Sequence, residues 1–194
     1  MKELLLVSLI LIIGAPAFAG YDEAWVAYSN QDYETALKEL KPLAEQGDPR
    51  SQYAVGWMYR NGEGVKQDFE TAVKWYRLAA EQGHAEAQKS LGLMYQFGEG
   101  IAPDHQAASK WYRLAAEQGN AEAQSNLGLM YLQGVGVPAS KQKAYMWLHN
   151  AASQGVSLAK WTQDELEKEM TPEQVEEAQL LARKCLEKNY KDCL

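Results

Sequence analysis

A 36-residue pattern occurs three times without a gap, at residues 49–84, 85–120 and 121–156. Each unit joins a segment resembling L-G-x-M-Y-x-x-G-x-G to a second segment that ends in A-A-x-Q-G. A period of this length is typical of solenoids, in which each unit buries its apolar face only against its neighbours. The repetition therefore predicts a stacked repeat protein whose function lies on an extended surface.

The residues within each unit predict two helices. In the middle unit, Ala87, Leu91 and Met94 fall at helical spacing and form one apolar stripe. Residues 98–100 (Gly-Glu-Gly) end this helix, because glycine adopts the positive φ of a helix C-terminus without strain. Asp104 is suited to cap the second helix. No segment alternates polar and apolar residues over strand length, so we expect an all-α fold.

The two ends differ from the repeats, as the ends of a solenoid do. Residues 20–48 predict a shorter, degenerate helix pair before the first full unit. Residues 157–194 lose the glycine pattern and carry nine acidic and six basic residues, so we expect capping helices with a solvated outer face. Thr171 and Pro172 are typical of a helix start, with threonine as N-cap and proline at the first helical position.

The first nineteen residues predict a signal peptide. Lys2 precedes an apolar run from Leu4 to Ile13, and an Ala-x-Ala site places cleavage before Gly20. The run is about half of the roughly 20 residues that span a bilayer, so we expect no membrane segment in the mature protein. The sequence therefore predicts export, most simply to a bacterial periplasm.

The charge and the scattered polar residues favour a binding protein over an enzyme. The net charge of −7, with no cluster of basic residues, excludes nucleic acid as the expected partner and suits a basic protein. His84, His105 and His149 have no second metal ligand at suitable spacing, and the repeated Gly-x-Gly segments lack the Lys-Ser/Thr pair of a phosphate loop. We therefore expect no catalytic residue, no metal and no cofactor.

Cys185 and Cys193 are the only cysteines and lie eight residues apart near the C-terminus. In an oxidising compartment such a pair favours a disulfide. Asn189 is suited to turn the chain back towards Cys185 by adopting the left-handed conformation. Two free thiols, or a metal or redox site, are the alternatives.

Comparison of the three units predicts where a partner binds. On a helical wheel, the repeated positions of the first helices occupy one arc, which we interpret as stacking core, and the variable positions occupy the opposite arc. The variable arc carries aromatic and apolar residues among a few charges, a composition typical of interaction surfaces. The predicted partner-binding residues are Tyr53, Trp57, Arg60, Lys89, Leu93, Phe97 and Leu129. The Trp-Tyr pairs of the second helices are interpreted as inter-helix core.

The frame A-E-A-Q-x-x-L-G-x-M-Y-x-x-G-x-G, with W-Y-x-x-A-A-E-Q-G-x-A-x-A-Q, resembles the Sel-one-like repeats, which are related to tetratricopeptide repeats. The resemblance implies a right-handed α/α superhelical solenoid whose first helices line a concave binding face. It also implies an adaptor or scaffold, here a periplasmic one that binds a basic effector or an envelope enzyme. The alternative is an immunity protein that neutralises an antibacterial phospholipase effector of type VI secretion. A hydrolase or redox enzyme is a third class, which rests only on the cysteine pair and scattered acids.

Overall fold

The computed structural model describes residues 19–193, which contain ten α-helices and no strand, as the all-α prediction requires. The helices are α1 (Ala19–Ser29), α2 (Tyr33–Glu45), α3 (Pro49–Asn61), α4 (Phe69–Glu81), α5 (Ala85–Phe97), α6 (His105–Ala116), α7 (Ala121–Gln133), α8 (Lys141–Ser153), α9 (Ser157–Lys168) and α10 (Pro172–Glu187). From α1 to α8 the helices pack as successive pairs, and the second helix of each pair packs against the next first helix. This stacking produces a solenoid.

Most of the predicted signal peptide lies outside the described residues, which begin at Ala19. None of the helices in residues 19–193 is both long enough and apolar enough to cross a membrane.

The repeated Gly-x-Gly segments have two separate structural roles. The first glycine ends the first helix in the left-handed conformation, as Gly98 does at φ 73°. The second glycine lies against the start of the preceding second helix. At Gly64, a Cβ atom would come within 2.5 Å of the Tyr33 carbonyl oxygen, and φ is also positive at 67°. Both the backbone conformation and the close approach therefore require glycine.

A ladder of glutamine side chains connects successive units. Gln88 is buried in α5, donates to the carbonyl oxygen of Ala80 at 3.0 Å and accepts from Gln118 at 2.7 Å. Gln52 and Gln124 make the equivalent bonds one unit before and after. Each glutamine therefore adds a second hydrogen bond to a carbonyl at the C-terminal end of the preceding helix, which also accepts the backbone N–H of a glycine three residues on.

Tyrosine contributes more to the core than tryptophan in the Trp-Tyr pairs. Tyr76 and Tyr112 are fully buried, whereas Trp75 and Trp111 are only partly buried. The interpretation of these tryptophans as inter-helix core is thus correct only in part. In the third unit Trp147 is fully buried, because α8 also packs against the C-terminal helices.

The C-terminal helix α10 packs on α8. The Asn150 amide of α8 donates to the Cys185 sulfur at 3.3 Å, and this cysteine is buried. The sulfurs of Cys185 and Cys193 lie at disulfide distance, and Asn189 has the expected left-handed conformation with φ 50°. Thr171 caps α10 with Pro172 in the first turn, as predicted. The third unit therefore meets the cap through its second helix.

Candidate functional site

An aromatic groove lies between α1 and α3. Its volume is about 250 Å³. Five aromatic side chains line it, and these are Tyr21, Trp25, Tyr28, Tyr53 and Trp57. Its floor is apolar and consists of Ala24, Leu40, Ala54 and Met58. We refer to these nine residues as the aromatic groove. Trp25 and Trp57 remain 58% and 36% exposed, so their rings are available to another molecule.

Two of the aromatic polar groups in the groove are hydrogen-bonded in a chain that ends at Glu63. The indole nitrogen of Trp57 donates to the Tyr28 hydroxyl at 3.1 Å, and this hydroxyl donates to a Glu63 carboxylate oxygen at 2.8 Å. Desolvation, together with the hydrogen bond to Glu63, raises the pKa of Tyr28, so its phenol stays protonated at neutral pH. The rings of Trp25 and Tyr28 stack with their centroids 5.6 Å apart. The surface of the groove thus consists mainly of ring faces and apolar side chains.

Tyr53 connects the groove to the next unit. Its ring stacks on the imidazole of His84 at 4.9 Å and lies 5.7 Å from the ring of Tyr76. His84, which has no second metal ligand at suitable spacing in the sequence, has a structural role. Its Nδ1 accepts the backbone N–H of Ala87 at 3.2 Å and caps α5. Burial lowers the pKa of His84, which favours the neutral ring that this cap requires.

The predicted basic contact residues are already paired with acids of the same chain. Arg60 forms an ion pair with Glu99 at 3.0 Å. Lys89 lies between Glu86 and Glu122, at 2.8 Å from each. These cations hold successive first helices together, so a partner's acidic group would have to compete with an existing pair.

The remaining predicted contact residues are dispersed. Leu93 and Leu129 are partly buried, and Leu93 packs against the core that includes α7 and α8. Phe97 is 64% exposed at the end of α5 but does not line the groove. The variable arc is also less exposed than its composition suggests, because Ser90 and Ser125 are buried. The structure thus brings together Tyr53 and Trp57 in the groove, whereas the other five predicted residues lie outside it along α3, α5 and α7.

Sequence comparison missed the contribution of α1. Helix α1 lies outside the 36-residue register. It nevertheless supplies three of the five aromatic side chains of the groove, namely Tyr21, Trp25 and Tyr28. A signal was nevertheless present, because the spacing Tyr-x-x-x-Trp occurs both at residues 21–25 and at residues 53–57. Residues four apart share one face of a helix, so this spacing predicts two similar aromatic faces.

Within residues 19–193, no group of three or more His, Cys, Asp or Glu side chains is arranged to hold a metal ion. The residues that line the groove include no Ser, Thr, Cys, His, Lys, Asp or Glu. Its rings and apolar floor are suited to binding.

The fold and the groove together define a class of protein, an all-helical repeat solenoid with an aromatic groove at one end. A family model described as Sel1 repeat matches residues 49–84, 85–120 and 121–156, more than half of the chain. The chain therefore belongs to the Sel1-repeat family, as the sequence resemblance indicated. Proteins of this family are generally scaffolds for protein–protein interaction.

Two solved structures support this assignment. A Sel1 repeat protein from Oxalobacter formigenes is 32% identical, with a TM-score of 0.74 over 85% of this chain and 75% of its own. The second is c5321, described as a protective antigen present in uropathogenic Escherichia coli strains and displaying an SLR fold. It is 26% identical with a TM-score of 0.64, and the match covers 92% of this chain but only 47% of c5321. No curated protein matches the sequence.

Proposed function

We propose that this protein is a non-catalytic adaptor of the bacterial periplasm, and that it anchors a partner protein in the aromatic groove. The observation that carries the proposal is the grouping of five aromatic side chains, two of them exposed tryptophans, in one groove of a family of interaction scaffolds. Tryptophan and tyrosine are enriched among the few residues that supply most of the energy of an interface. A large ring also loses little side-chain freedom on binding.

The partner surface extends from the groove along the first helices. Stacking places equivalent positions of successive units side by side, so residues 36 positions apart become neighbours. Leu93, Phe97 and Leu129 supply apolar contacts in this direction, and the paired Arg60 and Lys89 form a polar border. An apolar centre with a polar edge is the usual composition of a protein interface.

Two features support export. The cysteine pair at disulfide distance suits an oxidising compartment, since disulfides are rare where thiols are kept reduced. The N-terminal sequence has the composition of a signal peptide that would be cleaved before Gly20. Mass spectrometry of the protein from a periplasmic fraction should give a chain that begins at Gly20 and lacks two hydrogens. A chain that begins at Met1 and is confined to the cytoplasm would contradict the localisation.

The binding function is tested by isolating partners of the tagged mature protein from periplasm and then comparing two variants. Trp57→Ala should weaken binding of the captured partner by about 2 kcal/mol or more while leaving the helical content intact. Leu114→Ala is the control, because Leu114 is exposed on α6, a second helix that contributes nothing to the groove. Equal affinity of the parent and the Trp57→Ala protein would place the partner elsewhere. A single partner held at picomolar affinity would indicate the immunity role instead.

A further inference from the structure

Two hydrogen-bond donors of the aromatic groove are engaged within the protein. Its Trp57 N–H and Tyr28 O–H groups already donate within the protein, to Tyr28 and Glu63 respectively. Most of the remaining groove surface consists of ring faces and apolar side chains.

The electrostatics around the groove favour a cation. Glu63 accepts from Tyr28 at the groove wall and makes no ion pair with any residue of the described chain. Helix α1 contains two acidic residues, Asp22 and Glu23, and no basic one. The chain as a whole carries a net charge of −7. A basic group is thus attracted both at long range and at the groove itself.

One ring of the groove already binds a guanidinium within the protein. Arg50 lies over the face of Tyr21, with its Cζ 4.5 Å from the ring centroid, and it is also paired with Asp48 at 3.6 Å. Aromatic faces attract cations through the negative face of the ring quadrupole, and tryptophan does so most strongly. Trp25 and Trp57 line the same groove and are exposed.

We propose that the aromatic groove binds a basic side chain of the partner, arginine in preference to lysine. The methylene stem lies beside Ala54, and the guanidinium lies against the rings of Trp25 and Trp57, near the carboxylate of Glu63. Arginine is favoured because its planar head stacks on aromatic rings and is more weakly hydrated than an ammonium group. This inference rests on the proposed binding function, since it names the chemistry of the partner at the same groove.

The size of the groove agrees with a single side chain. Its volume of about 250 Å³ is below the range of roughly 300–1,000 Å³ that is typical of small-molecule pockets. Long basic side chains bury their apolar stems and keep the charged head near water. The apolar floor and the solvent-exposed rings of Trp25 and Trp57 provide these two environments.

The experiment uses three blocked pentapeptides, Gly-Ala-X-Ala-Gly, in which X is arginine, citrulline or leucine. Citrulline has nearly the shape of arginine without its charge, and leucine tests a purely apolar anchor. Each peptide is titrated into the ¹⁵N-labelled mature protein, and the indole N–H signals of Trp25 and Trp57 are followed by NMR. The arginine peptide should shift both signals and bind about fivefold or more tightly than the citrulline and leucine peptides. Equal or tighter binding of either neutral peptide would overturn the proposal, as would unshifted signals.

Three variants locate the interaction. Trp25→Leu should abolish the preference for arginine over citrulline, and Glu63→Gln should reduce it without unfolding the protein. Trp161→Leu is the control, because Trp161 is 63% exposed on α9 at the other end of the solenoid. A preference that survives both Trp25→Leu and Glu63→Gln contradicts the proposal. The binding function is tested separately by partner capture. A partner whose binding depends on Trp57 but not on any arginine of its own would contradict the arginine proposal and leave the binding function standing.

Discussion

Gly92 of α5 lies directly against the ring of Tyr112 in α6. A Cβ atom on Gly92 would come within 2.8 Å of both Cδ1 and Cε1 of this ring, which is fully buried. Gly56 has the same relationship to Tyr76 one unit earlier. The close approach of the two helices in each unit therefore depends on the absence of a side chain at this position.

Gly92→Ala should destabilise the protein, although alanine normally favours a helix by about 0.5–1 kcal/mol over glycine. The reason is overpacking against a fully buried ring, which typically costs about 1–3 kcal/mol. Urea unfolding measures the difference. In a Tyr112→Ala background the same change should cost much less, because the two positions are in contact. Additive effects of the two substitutions would show that contact with the Tyr112 ring is not the cause of the destabilisation.

Gln124→Leu should reduce the free energy of unfolding by about 1–3 kcal/mol, since two hydrogen bonds of about 0.5–1.5 kcal/mol each are lost. Gln124 is fully buried, donates to the Ala116 carbonyl and accepts from Gln154. Gln133→Leu is the matched control, because Gln133 is exposed at the end of the same helix. Equal urea midpoints for the two variants would mean that the glutamine ladder adds no stability.

Stability should fall as the pH drops below about 6.5, the usual pKa of histidine. Burial lowers the pKa values of His84 and His149, so the unfolded chain binds protons that the folded protein does not. The loss begins near the unfolded pKa and is complete below the folded one. For His84, Glu86 and Asp48 oppose the shift and Arg50 adds to it.

Urea midpoints at pH 7.5 and 5.5 check this dependence. His84→Asn should retain the α5 cap, because Asn120 caps α7 through the equivalent bond to Ala123. It should also weaken the pH dependence, since asparagine does not titrate. An unchanged pH dependence in this variant would assign the effect to other groups.

Cys193→Ser should destabilise the folded protein by about 2–3 kcal/mol, the chain-entropy value for so short a loop. The structural effect should be confined to the tail and to α10, which packs on α8. Thermal unfolding with and without dithiothreitol measures the contribution. The reductant should lower the melting temperature of the parent and leave that of the variant unchanged; the same decrease in both would exclude the disulfide as its cause.

The sequence alone determined the fold class and the family, because the signals for both are local. Helix ends are decided by residues such as Gly98 and Asp104 within a few positions of the cap. The 36-residue repetition then requires each unit to pack on the next, so the solenoid follows without knowledge of any individual long-range contact. Tyr53 and Trp57 were identified in the same way, as variable positions on one helix face.

Only the tertiary structure decided what these two residues contact. Tyr28 and Glu63 lie 35 positions apart in the sequence. Their hydrogen bond joins a helix outside the repeat register to a loop within it, so no periodicity predicts this contact. The pairing of Lys89 with Glu122 and the burial of Trp147 by the C-terminal helices are likewise products of packing between units. A repeated sequence specifies how neighbouring units stack, whereas the surface at each end depends on where the irregular terminal helices come to rest.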